Sequence, residues 1–197
     1  MNQPIIKKVC VYAASSTKVN PVFFDAARRL GKILAQHNII SIYGGGSVGL
    51  MGNLAEAVLE NNGKIIGIIP EFMMEFEWGN RQVTELIVVQ NMTERKKRLI
   101  DDVDAVIAMP DGTGTLEELA EVISMKKLGM FLKPIIILNI NGFYDLLITF
   151  LEKMISENFM HACYRNAWSV IKQPEEVIDA IYKSAEWNMD MGRYSAI

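Results

Sequence analysis

Short runs of apolar, mostly β-branched residues alternate along this chain with longer stretches whose apolar positions recur every three to four residues. The short runs, at 9–13, 39–43, 64–69, 86–89, 105–109 and 134–140, predict strands. The longer stretches predict helices over 21–37, 50–61, 93–101, 113–128 and 143–157, with a last one over 174–184. The strands are apolar throughout rather than alternating, so both their faces should be covered. That pattern, with helices between, predicts a parallel sheet flanked on both sides. The expected fold is therefore α/β: a doubly wound, Rossmann-like parallel sheet, in which ligands bind beyond the carboxyl ends of the strands. A single domain over 1–197 is expected, its core spanning about 9–184, with 185–197 as a surface tail or a final packed turn.

Two glycine-containing turns fall at predicted strand ends. Gly44, Gly45 and Gly46 begin the run Gly44-Gly-Gly-Ser-Val-Gly-Leu-Met-Gly52, and Pro110-Asp-Gly-Thr-Gly-Thr-Leu-Glu-Glu118 follows the apolar run at 105–109. A strand, a glycine turn and a helix start meet in each. Such a junction offers unpaired backbone N–H groups and the positive end of a helix dipole, which suits a phosphate. Both turns can converge on one anionic ligand. The second has two acids immediately behind the turn, an arrangement suited to chemistry on a phosphorylated molecule.

Gly44-x-Gly46-x-x-Gly49 also matches the dinucleotide-binding fingerprint. That fingerprint normally follows the first strand, whereas here it follows the second. The acid expected after the next strand is represented only by Glu71, and no hydride-transfer constellation lies nearby. An NAD(P)-binding oxidoreductase therefore ranks last among the readings.

The segment Asn91-Met-Thr-Glu-Arg-Lys-Lys-Arg-Leu99 carries four consecutive basic residues. Glu94 and Arg98 should pair at i, i+4. The helix follows a strand, so its first turn points toward the carboxyl edge of the sheet. Arg95 and Lys96 can reach an anion there, while Lys97 and Arg98 belong to solvent. On the helix starting near Thr113, Leu116, Leu119, Ala120 and Ile123 should face the sheet, with Glu117, Glu118 and Glu121 turned away from it. Glu118 has Val122 and Met125 as its i+4 and i+7 neighbours, while Glu117 has Glu121 at i+4. A carboxylate beside apolar groups is the better candidate for chemistry, which favours Glu118.

Composition narrows the partners. At 50% hydrophobic and 22% charged with a net charge of −3, the chain gives no reason to expect nucleic acid or an acidic membrane as partner. Two cysteines far apart and two histidines argue against a disulfide framework or a metal cage, and Cys10 should be a buried structural thiol. No apolar stretch approaches membrane-spanning length, and the N-terminal residues lack a signal-peptide pattern, so the expected location is cytoplasmic.

Three motifs occur in order: Tyr43-Gly-Gly-Gly-x-x-Gly-Leu-Met-Gly52, Met92-x-Glu-Arg-Lys96 and Pro110-x-Gly-x-Gly-Thr-x-x-Glu118. Together they resemble the Lonely Guy family, phosphoribohydrolases that release a free base from cytokinin riboside 5′-monophosphates and often from AMP. The similarity runs from about residue 9 to about 176. It implies that Arg95 and Glu118 are essential for hydrolysis. It also implies that Glu77, Lys96, Gly112, Thr113, Gly114, Thr115 and Ser124 contact the nucleotide, and that the protein is a homodimer with its active site near the interface. No cofactor is implied. An older label for such proteins, lysine decarboxylase, would require a Schiff-base lysine and a pyridoxal phosphate site. Nothing in the sequence specifies one.

Three departures from the family pattern stand out. Asp111 replaces the first glycine of the usual Pro-Gly-Gly, and its carboxylate should either repel a phosphate or turn away to cap the helix. Thr93 replaces a histidine and can cap the helix start. Met125-Lys-Lys-Leu-Gly129 replaces a common Trp-x-Gln-Leu-Gly, which alters the wall around the base or the dimer contact. The expected activity is N-glycosidic hydrolysis of a nucleoside 5′-monophosphate, with phosphate held by the 112–115 turn and the 44–46 loop. A nucleotide-binding module without catalysis ranks second.

Overall fold

The computed structural model of the chain describes residues 5–74 and 79–188. Seven strands, β1 (Lys8–Tyr12), β2 (Ile40–Tyr43), β3 (Ile65–Pro70), β4 (Glu85–Val89), β5 (Ala105–Ala108), β6 (Ile135–Leu138) and β7 (Ser169–Ile171), form one sheet in the order β4-β3-β2-β1-β5-β6-β7. Every neighbouring pair is parallel, with Val9 of the central strand opposite Ser41 on one side and Ala105 on the other. The helices are α1 (Pro21–Gln36), α2 (Gly49–Glu60), α3 (Met92–Ile100), α4 (Thr113–Lys127), α5 (Asp145–Ser156) and α6 (Val177–Lys183).

The apolar strands explain the two-sided cover. Val9, Val11, Ile107 and Leu138 pack with residues of α1, α2 and α6, while Cys10, Tyr12, Val106 and Ile137 pack with α3, α4 and α5. The expected doubly wound α/β sheet is thus present, and Cys10 is fully buried and unpaired as expected. Among the described residues, no helix is long and apolar enough to cross a membrane.

The structure departs from the sequence expectation at identifiable places. A seventh strand, β7, extends the sheet beyond β6. It has only three residues, one exposed, so its sequence lacks the apolar run that marks the other strands. The predicted helix over 174–184 begins with a separate tight turn, Pro174–Glu176. There Gln173 and Glu176 bond reciprocally across the start, and α6 follows. Within 185–188 Trp187 packs inward while its neighbours are exposed: it is 6% exposed, lies against Tyr164 and donates to the Lys126 carbonyl.

The helix that carries Glu118 is rotated from its expected setting. Leu116 and Ala120 face outward, and the buried positions of α4 are Thr115, Leu119, Val122, Ile123 and Lys126. Two polar residues occupy that inner face because each finds an internal partner. Thr115 donates to Asp111, and Lys126 Nζ donates to the Lys133 carbonyl at 2.7 Å. A periodicity count that places every polar residue outside misses this.

Candidate active site

The strand order turns back at β1. The chain builds outward through β2, β3 and β4, then returns to add β5, β6 and β7 on the other side. Connections leaving β1 and β5 run to opposite faces of the sheet, opening a crevice at their carboxyl ends. A pocket of about 70 Å³ lies in that crevice. Tyr12 and Ser15 reach it from the end of β1, Gly44 from the end of β2 and Met51 from α2. Arg95 comes from α3, and Asp111, Gly114, Thr115 and Glu118 from the start of α4.

Local geometry holds these pieces together. Gly49 opens α2 at φ +66°, and a side chain there would collide with the Ser15 carbonyl group. Glycine therefore lets α2 approach the loop after β1, where the Met51 N–H donates to the Ala14 carbonyl at 3.1 Å. Gly44 is constrained from the other side, because a Cβ on it would strike the Arg95 guanidinium.

Arg95 is 7% exposed. Its Nε donates to the Ile68 carbonyl at 3.2 Å and its Nη2 to the Gly44 carbonyl at 3.0 Å, so β3 and the loop after β2 fix the guanidinium plane. Nη1 lies 3.6 Å from Met73 Sδ and 3.9 Å from Met92 Sδ, two weak acceptors. The start of α3 is capped by Asn91, whose side chain accepts from the Glu94 N–H, and Glu94 reaches back to the Gln90 N–H. Asn91 thus takes the capping role expected of Thr93, because the helix begins one residue earlier.

Glu118 is half-buried and lines the pocket. Burial holds the Cys10 thiol and the Tyr12 phenol well above their usual ranges, and the Glu118 charge adds to the shift in both. Its neighbour Glu117 is engaged elsewhere: Lys96 Nζ pairs with Glu117 at 2.6 Å and Glu121 at 3.2 Å, and both acids raise the lysine pKa. Lys97 and Arg98 are exposed, with Arg98 on Glu94 at 3.3 Å as expected.

The first N–H groups of α4 have no intrahelical acceptors, and its cap residue, Gly112, supplies no side chain. Gly112, Thr113 and Gly114 are exposed, and Thr115 is buried. Asp111 neither turns out of the pocket nor caps the backbone of α4. Its Oδ2 accepts from Thr115 Oγ1 at 2.9 Å on the pocket wall.

The remaining candidates lie apart from the pocket wall. Gly45 and Gly46 tie the loop to 79–80, through the Asn80 N–H to Gly45 O at 2.9 Å and an antiparallel bridge between Gly46 and Gly79. Ser124 is exposed, its hydroxyl returned to the Ala120 carbonyl at 2.8 Å. Glu77 lies outside the described residues. Tyr12 and Met51 also line the pocket without belonging to the expected site residues; the preference of ligands for strand ends points to Tyr12 at the end of β1, and Met51 on α2 stands within the first motif, where nothing singles it out.

A family model described as "possible lysine decarboxylase" matches residues 51–181. A protein of Oryza sativa subsp. japonica described as a probable cytokinin riboside 5′-monophosphate phosphoribohydrolase is 40% identical over 179 residues, covering 91% of this chain and 73% of its own. A cytokinin riboside 5′-monophosphate phosphoribohydrolase of Arabidopsis thaliana is 38% identical over 192 residues, covering 92% of this chain and 88% of its own. Among solved structures, the molybdenum cofactor binding protein from the phototrophic bacterium Rippkaea orientalis matches with a TM-score of 0.68 at 25% identity, covering 88% of this chain and 94% of its own.

Proposed function

This chain belongs to the Lonely Guy family of cytokinin riboside 5′-monophosphate phosphoribohydrolases. From that premise we propose that it hydrolyses the N-glycosidic bond of such a nucleotide, or of AMP, giving the free base and ribose 5-phosphate. The observation that carries the reading is the meeting of Arg95 and Glu118, from two different helices, in one pocket at the strand-order reversal.

The chemistry asked of the site follows from the reaction. As the bond to the base breaks, positive charge builds on the ribose at the anomeric carbon and ring oxygen. Glu118 stabilises that charge and orients or deprotonates the attacking water. Arg95, rigid on the carbonyls of Ile68 and Gly44, holds the substrate and offsets negative charge as the base departs. The open N–H groups of the 112–115 turn take the phosphate, and their binding energy positions the sugar. The pocket at about 70 Å³ suits the reacting centre alone. A wider groove of about 840 Å³, lined by Phe72, Met74 and Val88 together with Ser47, Glu71 and Arg81, supports placing the base and its substituent there.

We assign the protein to the cytoplasm and to a homodimer. Leu116 on α4 and Leu146 and Phe150 on α5 expose apolar side chains on the same side of the sheet, which suits a second copy. The activity is tested by incubating purified protein with isopentenyladenosine monophosphate, AMP, CMP and the matching nucleosides, with free base as the readout. Release from the purine monophosphates, and poor release from nucleosides, is the expected result. No release from any monophosphate overturns the reading in favour of a binding module.

A further inference from the structure

A carboxylate on the wall of an anion site is the feature the proposed reaction leaves unexplained. Asp111 shares the pocket with Glu118, and it sits where the start of α4 offers its N–H groups. Its Oδ2 accepts from the Thr115 hydroxyl, which spends the only donor on the Thr115 side chain. The lone pairs left on Asp111 and on Thr115 Oγ1 are acceptors alone. A phosphate dianion, which also only accepts, would meet a like charge there with no donor between them. A phosphate monoanion carries one P–OH, and that group can donate to either oxygen while its remaining oxygens take the helix N–H groups.

Resting on the proposed reaction, we propose that Asp111 makes this site selective for the monoanionic, singly protonated form of the substrate's 5′-phosphate. The shared proton arrives with the ligand, because a phosphate monoester holds its second proton to about pH 6. The other ionisable groups around Asp111 do not replace this proton. Glu118 on α4 is an acid on the same wall, and Tyr12 after β1 is a phenol held neutral by burial. Tyr144, after β6, is pushed up by burial and by the Asp111 charge, and it donates its proton to the Met109 carbonyl at 2.6 Å. Arg95 supplies positive charge from α3, with its Nε and Nη2 bonded to backbone carbonyls.

The test is binding of ribose 5-phosphate, measured by calorimetry from pH 5 to pH 8 on the wild type, Asp111→Asn and Asp111→Gly. In the wild type, Kd should be flat below about pH 6 and weaken about tenfold per unit above it. In both variants that weakening should vanish, and with Asp111→Asn the dianion should bind better because the amide donates. Phosphorus NMR of the wild-type complex at pH 7 should show the bound ester as the monoanion. A wild-type Kd that holds or tightens through pH 6 overturns the proposal, as does an equal weakening in the two variants or failure of ribose 5-phosphate to bind at pH 5. Base release is scored separately. If no monophosphate is hydrolysed at any pH, the proposed reaction falls while the binding profile still decides the role of Asp111.

Discussion

Lys96 and Glu117, each the immediate neighbour of a proposed catalytic residue, form a 2.6 Å ion pair that joins α3 to α4. Glu121, one turn along α4, adds a second contact at 3.2 Å. Arg95 and Glu118 sit on separate helices, so their spacing depends on how those helices are held. An exposed pair of this kind contributes under about 1 kcal/mol to stability. Its effect on geometry is larger, because small misplacements of reacting groups are expensive in rate.

We therefore expect Lys96→Met to leave the urea midpoint nearly unchanged and to lower kcat/KM about tenfold. The charge-swapped variant, Lys96→Glu with Glu117→Lys and with Glu121→Gln to remove the like charge beside position 96, should recover most of the loss. Steady-state kinetics on the three proteins decide the matter. If Lys96 instead contacts the nucleotide directly, as the family resemblance implies, the swap restores nothing.

Glu118→Gln should lower kcat by about 10²–10⁴-fold with little change in KM, since the amide can still hydrogen-bond but cannot carry charge or take a proton. Arg95→Lys should fail as well. A single ammonium cannot span the carbonyls of Ile68 and Gly44 while also facing the pocket. Gly44→Ala places a methyl group against the guanidinium and should reproduce the Arg95 defect in a folded protein. Full activity in Gly44→Ala, with an unchanged unfolding midpoint, would show that the placement of Arg95 is immaterial.

What the sequence disclosed follows from where its signals are local. Continuous apolar runs identified the six longer strands, and the glycine turns located the ends of β2 and β5, because strand burial and tight turns leave marks on adjacent residues. The rotation of α4 left no such mark. It depends on Thr115 finding Asp111 and on Lys126 finding Lys133 and Trp187, the last of them 61 positions away. Strand β7 was hidden for a related reason, since three residues at a sheet edge need little apolarity. Arg95 and Glu118 were named from motifs, but their meeting in one pocket is a property of the strand order.

The proposed homodimer, with the α4–α5 side as its contact, makes its own prediction. Leu146 is 85% exposed, an unusual position for a leucine unless a partner covers it. Leu116→Glu, two positions before Glu118, should shift sedimentation velocity profiles from dimer to monomer at micromolar concentration. Activity per chain should fall with it if the active site lies near the interface. A wild type that sediments as a monomer at every concentration would refute the assignment.

Lys126 gives the protein a stability profile that can be read against pH. Its side chain is buried, with Nζ on the Lys133 carbonyl and 5.4 Å from the Trp187 ring, and burial lowers its pKa from 10.5 to about 8. The depressed value belongs to a base, so the charged form is the one the fold disfavours. Below about pH 8 both folded and unfolded chains carry the proton, and the full cost of burying the charge is present. Between about pH 8 and 10.5 the folded lysine has lost its proton while the unfolded one keeps it, so stability should rise across that window, by roughly 3 kcal/mol at most. Lys126→Met should be more stable than the wild type at pH 7, and the difference should shrink as pH passes through the window. Trp187→Ala, which opens the cover over the ammonium, should flatten the wild-type rise. Parallel urea midpoints for wild type and Lys126→Met at pH 7 and pH 10 would show that this lysine is charged, or neutral, at no net cost.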